Sequence, residues 1–170
     1  AARRDSVQGK AAMSSRAGAR LTLLGNYLNA PDAQDPLGLT QAQFAAGPQQ
    51  SAPVAVQFNT RKSVEQWQAG AIYDSAESKH GRMRMLAYAG DRSVLQYLAI
   101  PVATQSDPRH SGGVVDLGAR HLGGELRWSR DLTLGSRSAT LVTGISYDEL
   151  RQQRRGYENF VGSTVGVAGA

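Results

Sequence analysis

The residues best equipped for chemistry crowd one short run, RQQRRGY, from Arg151 to Tyr157. Arg151, Arg154 and Arg155 bring three guanidiniums beside the phenol of Tyr157. Planar guanidinium forks bind carboxylates and phosphates bidentately, and a cluster of them draws in anions. The run suits contact with an anionic ligand; lipid phosphates or plain solvation are the competing readings. The three histidines, His80, His110 and His121, are scattered. A metal site needs several donors to converge, and the strand pattern below sends His80 and His110 to opposite ends of the sheet. His121 with Ser129 or Ser146 and Asp148 supplies the residue types of a hydrolytic triad. No nucleophile elbow or comparable geometry-bearing motif surrounds them. No catalytic residue, metal site or cofactor is expected.

The chain of 170 residues is long enough for one domain with a real core. Only 41% of its residues are hydrophobic and 6% aromatic, while 19 are glycine, which favours strands and turns over long helices. The net charge of +5 comes mostly from arginine, since Lys10, Lys62 and Lys79 are the only lysines. That balance admits nucleic acid, lipopolysaccharide phosphates or an acidic ligand as partners. Nucleic acid is set aside because the charges alternate between faces and form no single stripe. With no cysteine, disulfides and thiolate metal sites are excluded within this chain. No apolar run approaches the roughly 20 residues of a membrane-spanning helix. The opening AARRDSVQGK lacks the apolar centre of a signal peptide, and the ending VGSTVGVAGA carries no end signal. Both ends read as cuts, so a piece of a longer chain is expected.

Period-two alternation predicts six strands, at Ser6–Ser14, Ala19–Asn29, Lys62–Asp74, Arg82–Asp91, Ala119–Arg130 and Ser138–Leu150. One face of the series carries Val7, Met13, Leu21, Leu23, Met83, Met85, Leu122, Leu126, Leu141 and Ile145. The other carries Lys10, Arg20, Gln66, Gln68, Arg82, Arg84, His121 and Arg127, with Leu24 and Leu28 as exceptions. The connections alternate in length. Short turns are predicted at Ser15–Gly18, Ser75–Gly81 and Asp131–Arg137. Long polar segments are predicted from Ala30 past Pro53, from Arg92 to Gly118, and from Arg151 onward. Within the first of these, Thr40 can cap a short helix over Gln41–Ala46 that ends at Gly47-Pro48.

Strands of about ten residues with alternating short and long connections are the pattern of a transmembrane β-barrel, with short periplasmic turns and long extracellular loops. The fold expected is all-β, an antiparallel transmembrane barrel fragment of about six meandering strands. The aromatics agree with it. Tyr73 and Trp128 fall beside short turns, at one interface; Tyr27, Trp67 and Tyr147 fall toward the long loops, at the other. A soluble sandwich or jelly roll shares the alternation. The apolar faces, thin and rich in glycine and alanine, would fill a two-sheet core poorly, and the arginines of the opposite faces suit a water-filled lumen.

Four strings then carry a resemblance: PDAQDPLGLTQAQF (Pro31–Phe44), QFNTRKSV (Gln57–Val64), LAIPVATQ (Leu98–Gln105) and RRGYENFVG (Arg154–Gly162). They resemble the barrel region of TonB-dependent outer-membrane receptors of Gram-negative bacteria, across nearly the whole chain. The resemblance implies part of a 22-stranded barrel closed by a plug domain, which these residues do not include. It implies an outer-membrane protein, not an enzyme, whose extracellular loops capture a scarce ligand, most often a ferric siderophore. Arg151, Arg154, Arg155 and Tyr157 would then lie in an extracellular loop. An inner-membrane energy-coupling complex would drive import through the plug, with lipid and lipopolysaccharide around the barrel. A passive porin is the alternative.

Overall fold

The computed structural model describes residues 2–169. One antiparallel sheet organises them: β1 (Asp5–Ser14), β2 (Arg20–Gln34), β3 (Arg61–Asp74), β4 (Arg82–Tyr97), β5 (Val114–Leu134) and β6 (Arg137–Tyr157), paired in chain order. The chain is therefore all-β in its main architecture, a six-stranded meander. The sheet does not close on itself. Strands β1 and β6 each keep one edge unpaired among the described residues.

Odd connections are short, and the tightest, between β5 and β6, needs only Gly135 and Ser136. Gly135 has φ of 67°, which an L side chain rarely adopts, so the turn depends on that glycine. Even connections are longer. Between β2 and β3 lie α1 (Gln41–Ala46) and α2 (Pro53–Gln57); between β4 and β5 lies α3 (Val102–Gln105). A two-stranded ribbon, β7 (Phe160–Val161) and β8 (Thr164–Val165), follows β6. Helix α1 occupies the residues expected of it. The Thr40 hydroxyl accepts from the Gln43 amide at 3.3 Å, while the Thr40 amide donates to Oε1 of Gln43 at 2.9 Å.

The strands run longer than the alternation predicts. Strand β2 continues past Asn29 to Gln34, tolerating Pro31 inside an irregularity of register between Ala30 and Ala33. Strand β4 continues to Tyr97 and β5 begins at Val114, so the segment expected from Arg92 to Gly118 shrinks to 98–113. The largest correction concerns RQQRRGY. Arg151, Arg154, Arg155 and Tyr157 belong to β6, not to a loop, because their backbones pair with Arg120, Leu117, Asp116 and Val114 of β5. A strand that is polar on both faces has no alternation to read, yet its ladder bonds form as well as any other.

The packed core lies at the end of the sheet where the long connections gather. Ala52, Ala55 and Phe58 from the α2 region bury themselves, as do Val94 and Tyr97 of β4 and Val114 of β5. Elsewhere the sheet is a single layer. Leu23, Leu126 and Leu141 are 42%, 41% and 49% exposed, and Ile145 is 73% exposed. No second sheet covers them among the described residues.

Candidate functional site

Three surfaces are positioned by this sheet: its apolar face, its polar face, and the cap built from the long connections. Residues directly opposite in an antiparallel ladder point to the same side. On the apolar side one such row runs Val7, Tyr27, Trp67, Asp91, Arg120, Arg151. A second runs Met13, Leu21, Tyr73, Met85, Leu126, Ile145.

Tyr27 and Trp67 share a row, but beyond β3 the aromatics leave these rows and step toward the β5–β6 turn. From Trp67 on β3, the row reaches β6 at Arg151, but Tyr147 stands four residues nearer the β5–β6 turn. From Tyr73, the row reaches β5 at Leu126, but Trp128 stands two residues nearer the same turn. At about 3.3 Å per residue and 4.8 Å per strand, the first displacement is a slope of about 43° and the second about 35°. Two lines of aromatics therefore cross the sheet nearly parallel to each other, each oblique to the strand perpendicular by about the tilt of strands in a barrel.

The polar atoms of three of these five rings lean away from the space between the lines. The hydroxyl of Tyr27 donates to Glu65 at 3.0 Å, and that of Tyr147 donates to Glu149 at 2.9 Å. Both carboxylates sit one step nearer the long connections. Nε1 of Trp128 donates to the carbonyl of His80, in the turn at the other end, at 2.9 Å.

The polar side is hollowed. A cavity of about 720 Å³ opens on it, lined by Gln8, Lys10, Asn26, Gln68, Tyr88 and His121 among others, so the sheet curves toward this side. Its centre is a reciprocal fit of rings on glycines. Tyr88 of β4 lies across Gly123 of β5, and His121 of β5 lies across Gly90 of β4, with ring centroids 6.1 Å apart. Tyr88 reaches over Gly123 to donate its hydroxyl to Asp148 on β6. A Cβ at position 123 would meet the Tyr88 hydroxyl and the Asp148 carboxylate at 2.5 Å each. Gly123→Ala should therefore push Tyr88 off Asp148 and cost about 1–3 kcal/mol of stability, read as a lowered urea midpoint; Tyr88→Phe should cost less. The arginines expected on this face are there. Arg84 pairs with Asp74 at 3.0 Å, Arg127 with Glu125 at 2.9 Å, and Arg82 with Glu77 at 2.9 Å.

The cap joins all three long connections through Asn159, which is wholly buried. Its amide nitrogen Nδ2 donates to the carbonyls of Phe58 at 3.1 Å and Leu98 at 2.9 Å. Its backbone N–H donates to Oε1 of Gln105 at 2.7 Å. One side chain thus ties the β2–β3 connection, the β4–β5 connection and the segment after β6. Backbones approach so closely here that only glycine fits: a Cβ on Gly156 would stand 1.8 Å from the carbonyl oxygen of Ser111. On the outer surface of the cap, Asp107 is held below the usual carboxylate range by hydrogen bonds from the Arg109 guanidinium and amide.

No known family model matches this chain.

The anion cluster read from the sequence is divided by the sheet. Arg151, Arg155 and Tyr157 stand on the apolar side, opposite Arg120, Asp116 and Val114; Arg154 stands on the polar side. The histidines are likewise dispersed. His80 lies in the β3–β4 turn, and His110, whose Nδ1 accepts from the Gly112 amide at 3.0 Å, lies in the cap. His121 lies tilted beside the ring of Tyr88, and Asp148 is engaged by that tyrosine. Sequence reasoning passed over Asn159 and Gln105, the pair that organises the cap. Nothing in their neighbours distinguishes them, because their partners are backbone carbonyls and amides far along the chain.

Proposed function

We propose that this chain is part of the barrel wall of an energy-coupled outer-membrane receptor that binds and imports a scarce ligand, with a ferric siderophore as the ligand class. Lipid would cover the apolar side, water the curved polar side, and the cap would face outward. The observation that carries the membrane reading is the pair of parallel oblique aromatic lines on an otherwise uncovered apolar face. Such girdles mark both edges of the lipid-facing band of a barrel. On β3 the lines stand six residues apart, about 15 Å along the barrel axis at that tilt. The rings of Tyr27, Tyr147 and Trp128, leaning outward, widen the band toward the roughly 25 Å apolar height of such barrels.

The two open edges support incorporation in a larger closed sheet, since unpaired edges are otherwise a hazard. The ligand class rests on the resemblance of Pro31–Phe44, Gln57–Val64, Leu98–Gln105 and Arg154–Gly162 to receptor strings. The cap adds support: loops are where binding residues gather, and here they are braced into one body. Energy coupling would come through a plug domain and an inner-membrane complex.

Uptake of a radiolabelled ferric siderophore by cells making the intact protein tests this. Accumulation that stops when the proton gradient is collapsed is the expected result. Flux that continues unchanged without the gradient contradicts it and favours a passive porin.

A further inference from the structure

Two arginines face each other across the ladder, Arg120 of β5 and Arg151 of β6, on the apolar side. Directly opposite residues keep their Cβ atoms about 4.5–5.5 Å apart, and like charges placed so repel. Each guanidinium is fastened in the same manner. Nε of Arg120 donates to Asp91 at 3.0 Å, and Nε of Arg151 donates to Glu149. The terminal amino groups of both make no hydrogen bond among the described residues, and the side chains are 84% and 81% exposed. Two forks with free terminal donors, held side by side, form a receptor for an anion with several oxygens.

We propose that Arg120 and Arg151 together bind the phosphate headgroup of a membrane lipid. This rests on the membrane reading of the apolar side. There the pair stands outside the aromatic line, with Tyr147 four residues inward of Arg151. Exposed Leu122, Ile145 and Tyr147 lie inward of the pair, where the acyl chains would run. Asp91 and Glu149 orient the forks and offset their charge, so recognition comes from geometry more than from net potential. Arg155, four residues further out on the same side and opposite Asp116, gives a long headgroup a further contact. Arg154, on the other side of the sheet, takes no part.

The test compares lipids that differ only in the phosphate. The intact protein, in micelles doped with phosphatidic acid or with diacylglycerol of the same chains, is weighed by native mass spectrometry. Retention of phosphatidic acid should exceed that of diacylglycerol about tenfold, and R120Q/R151Q should bring the ratio near unity. R154Q should leave it unchanged. Excess inorganic phosphate should not displace the lipid; full displacement would mean a free-anion site and overturn the lipid assignment. Equal ratios in the parent and R120Q/R151Q overturn the proposal. Quenching of the two tryptophans by brominated acyl chains, recorded on the same samples, separates the causes. If quenching persists while the ratio ignores the arginines, only the headgroup site fails; if quenching is absent, the membrane reading fails with it.

Discussion

Leu126→Arg should lower the stability of the bilayer-inserted protein by about 2–4 kcal/mol, the cost of a cation near the middle of a barrel's lipid face. Leu126 lies between the two aromatic lines, one step from Trp128, with Ile145 and Met85 directly opposite. The chain already supplies the control. Arg127, the next residue, points to the polar side, where it pairs with Glu125. Period-two geometry makes the difference between them: one position turns the side chain from the apolar side to the polar side. Val142→Arg, on the polar side opposite Ser129, should change stability by less than about 1 kcal/mol, as lumen-facing substitutions do. Urea unfolding in lipid vesicles, followed by tryptophan fluorescence, measures both. A Leu126→Arg protein as stable as its parent would mean that lipid does not lie on that side.

Asn159→Ala should loosen the cap without unfolding the sheet. The substitution deletes both amide donations from Nδ2, leaving the buried carbonyl of Phe58 and the half-buried carbonyl of Leu98 without that partner. A buried group deprived of its hydrogen bond costs about 1–3 kcal/mol, so the cap should lose about 2–5 kcal/mol of local stability by the same rule. The Gln105 contact survives, because it is made by the Asn159 backbone. Hydrogen exchange should therefore quicken at Ala55, Phe58 and Thr60 and around Leu98, while amides of β3 and β4 below the cap keep their protection. Asn159→Asp should be as damaging, since it replaces the donor with a second acceptor facing two carbonyls. Unchanged exchange in the β2–β3 connection would mean that the three segments are not coupled through this residue.

Much of the sheet was legible because alternation is a local signal. Leu21, Leu23 and Tyr27 take one side and Arg20, Thr22 and Asn26 the other, and the register keeps them so. Helix α1 was legible for a similar reason: a capping threonine, six helix-compatible residues and a terminating Gly-Pro announce themselves within nine positions. The outer ends of β4, β5 and β6 were not legible. In β4 past Asp91 and β5 before Ala119, apolar residues fall on both faces (Val94 and Leu95, Val114 and Val115), which hides the alternation. Beyond Leu150 both faces of β6 turn polar, and a polar ladder looks like a loop when only hydrophobicity is read. That is why RQQRRGY was expected to be a basic cluster in a loop, whereas the ladder extends it and sends Arg154 away from Arg151 and Arg155. The oblique aromatic lines lie between these cases. Single aromatics could be assigned to one end or the other, but their slope exists only once the pairing of Trp67 through Arg151 and of Tyr73 through Leu126 is known.

Depth-dependent quenching of single-tryptophan proteins in vesicles tests the central claim, that lipid covers the apolar side, most directly. Trp67→Phe and Trp128→Phe each leave one indole on that side, one per aromatic line. Each should be quenched more strongly by bromines near the headgroup than by bromines near the chain end, and neither should respond fully to aqueous iodide. Efficient iodide quenching of both indoles, with no effect of brominated lipid at any depth, would contradict the claim.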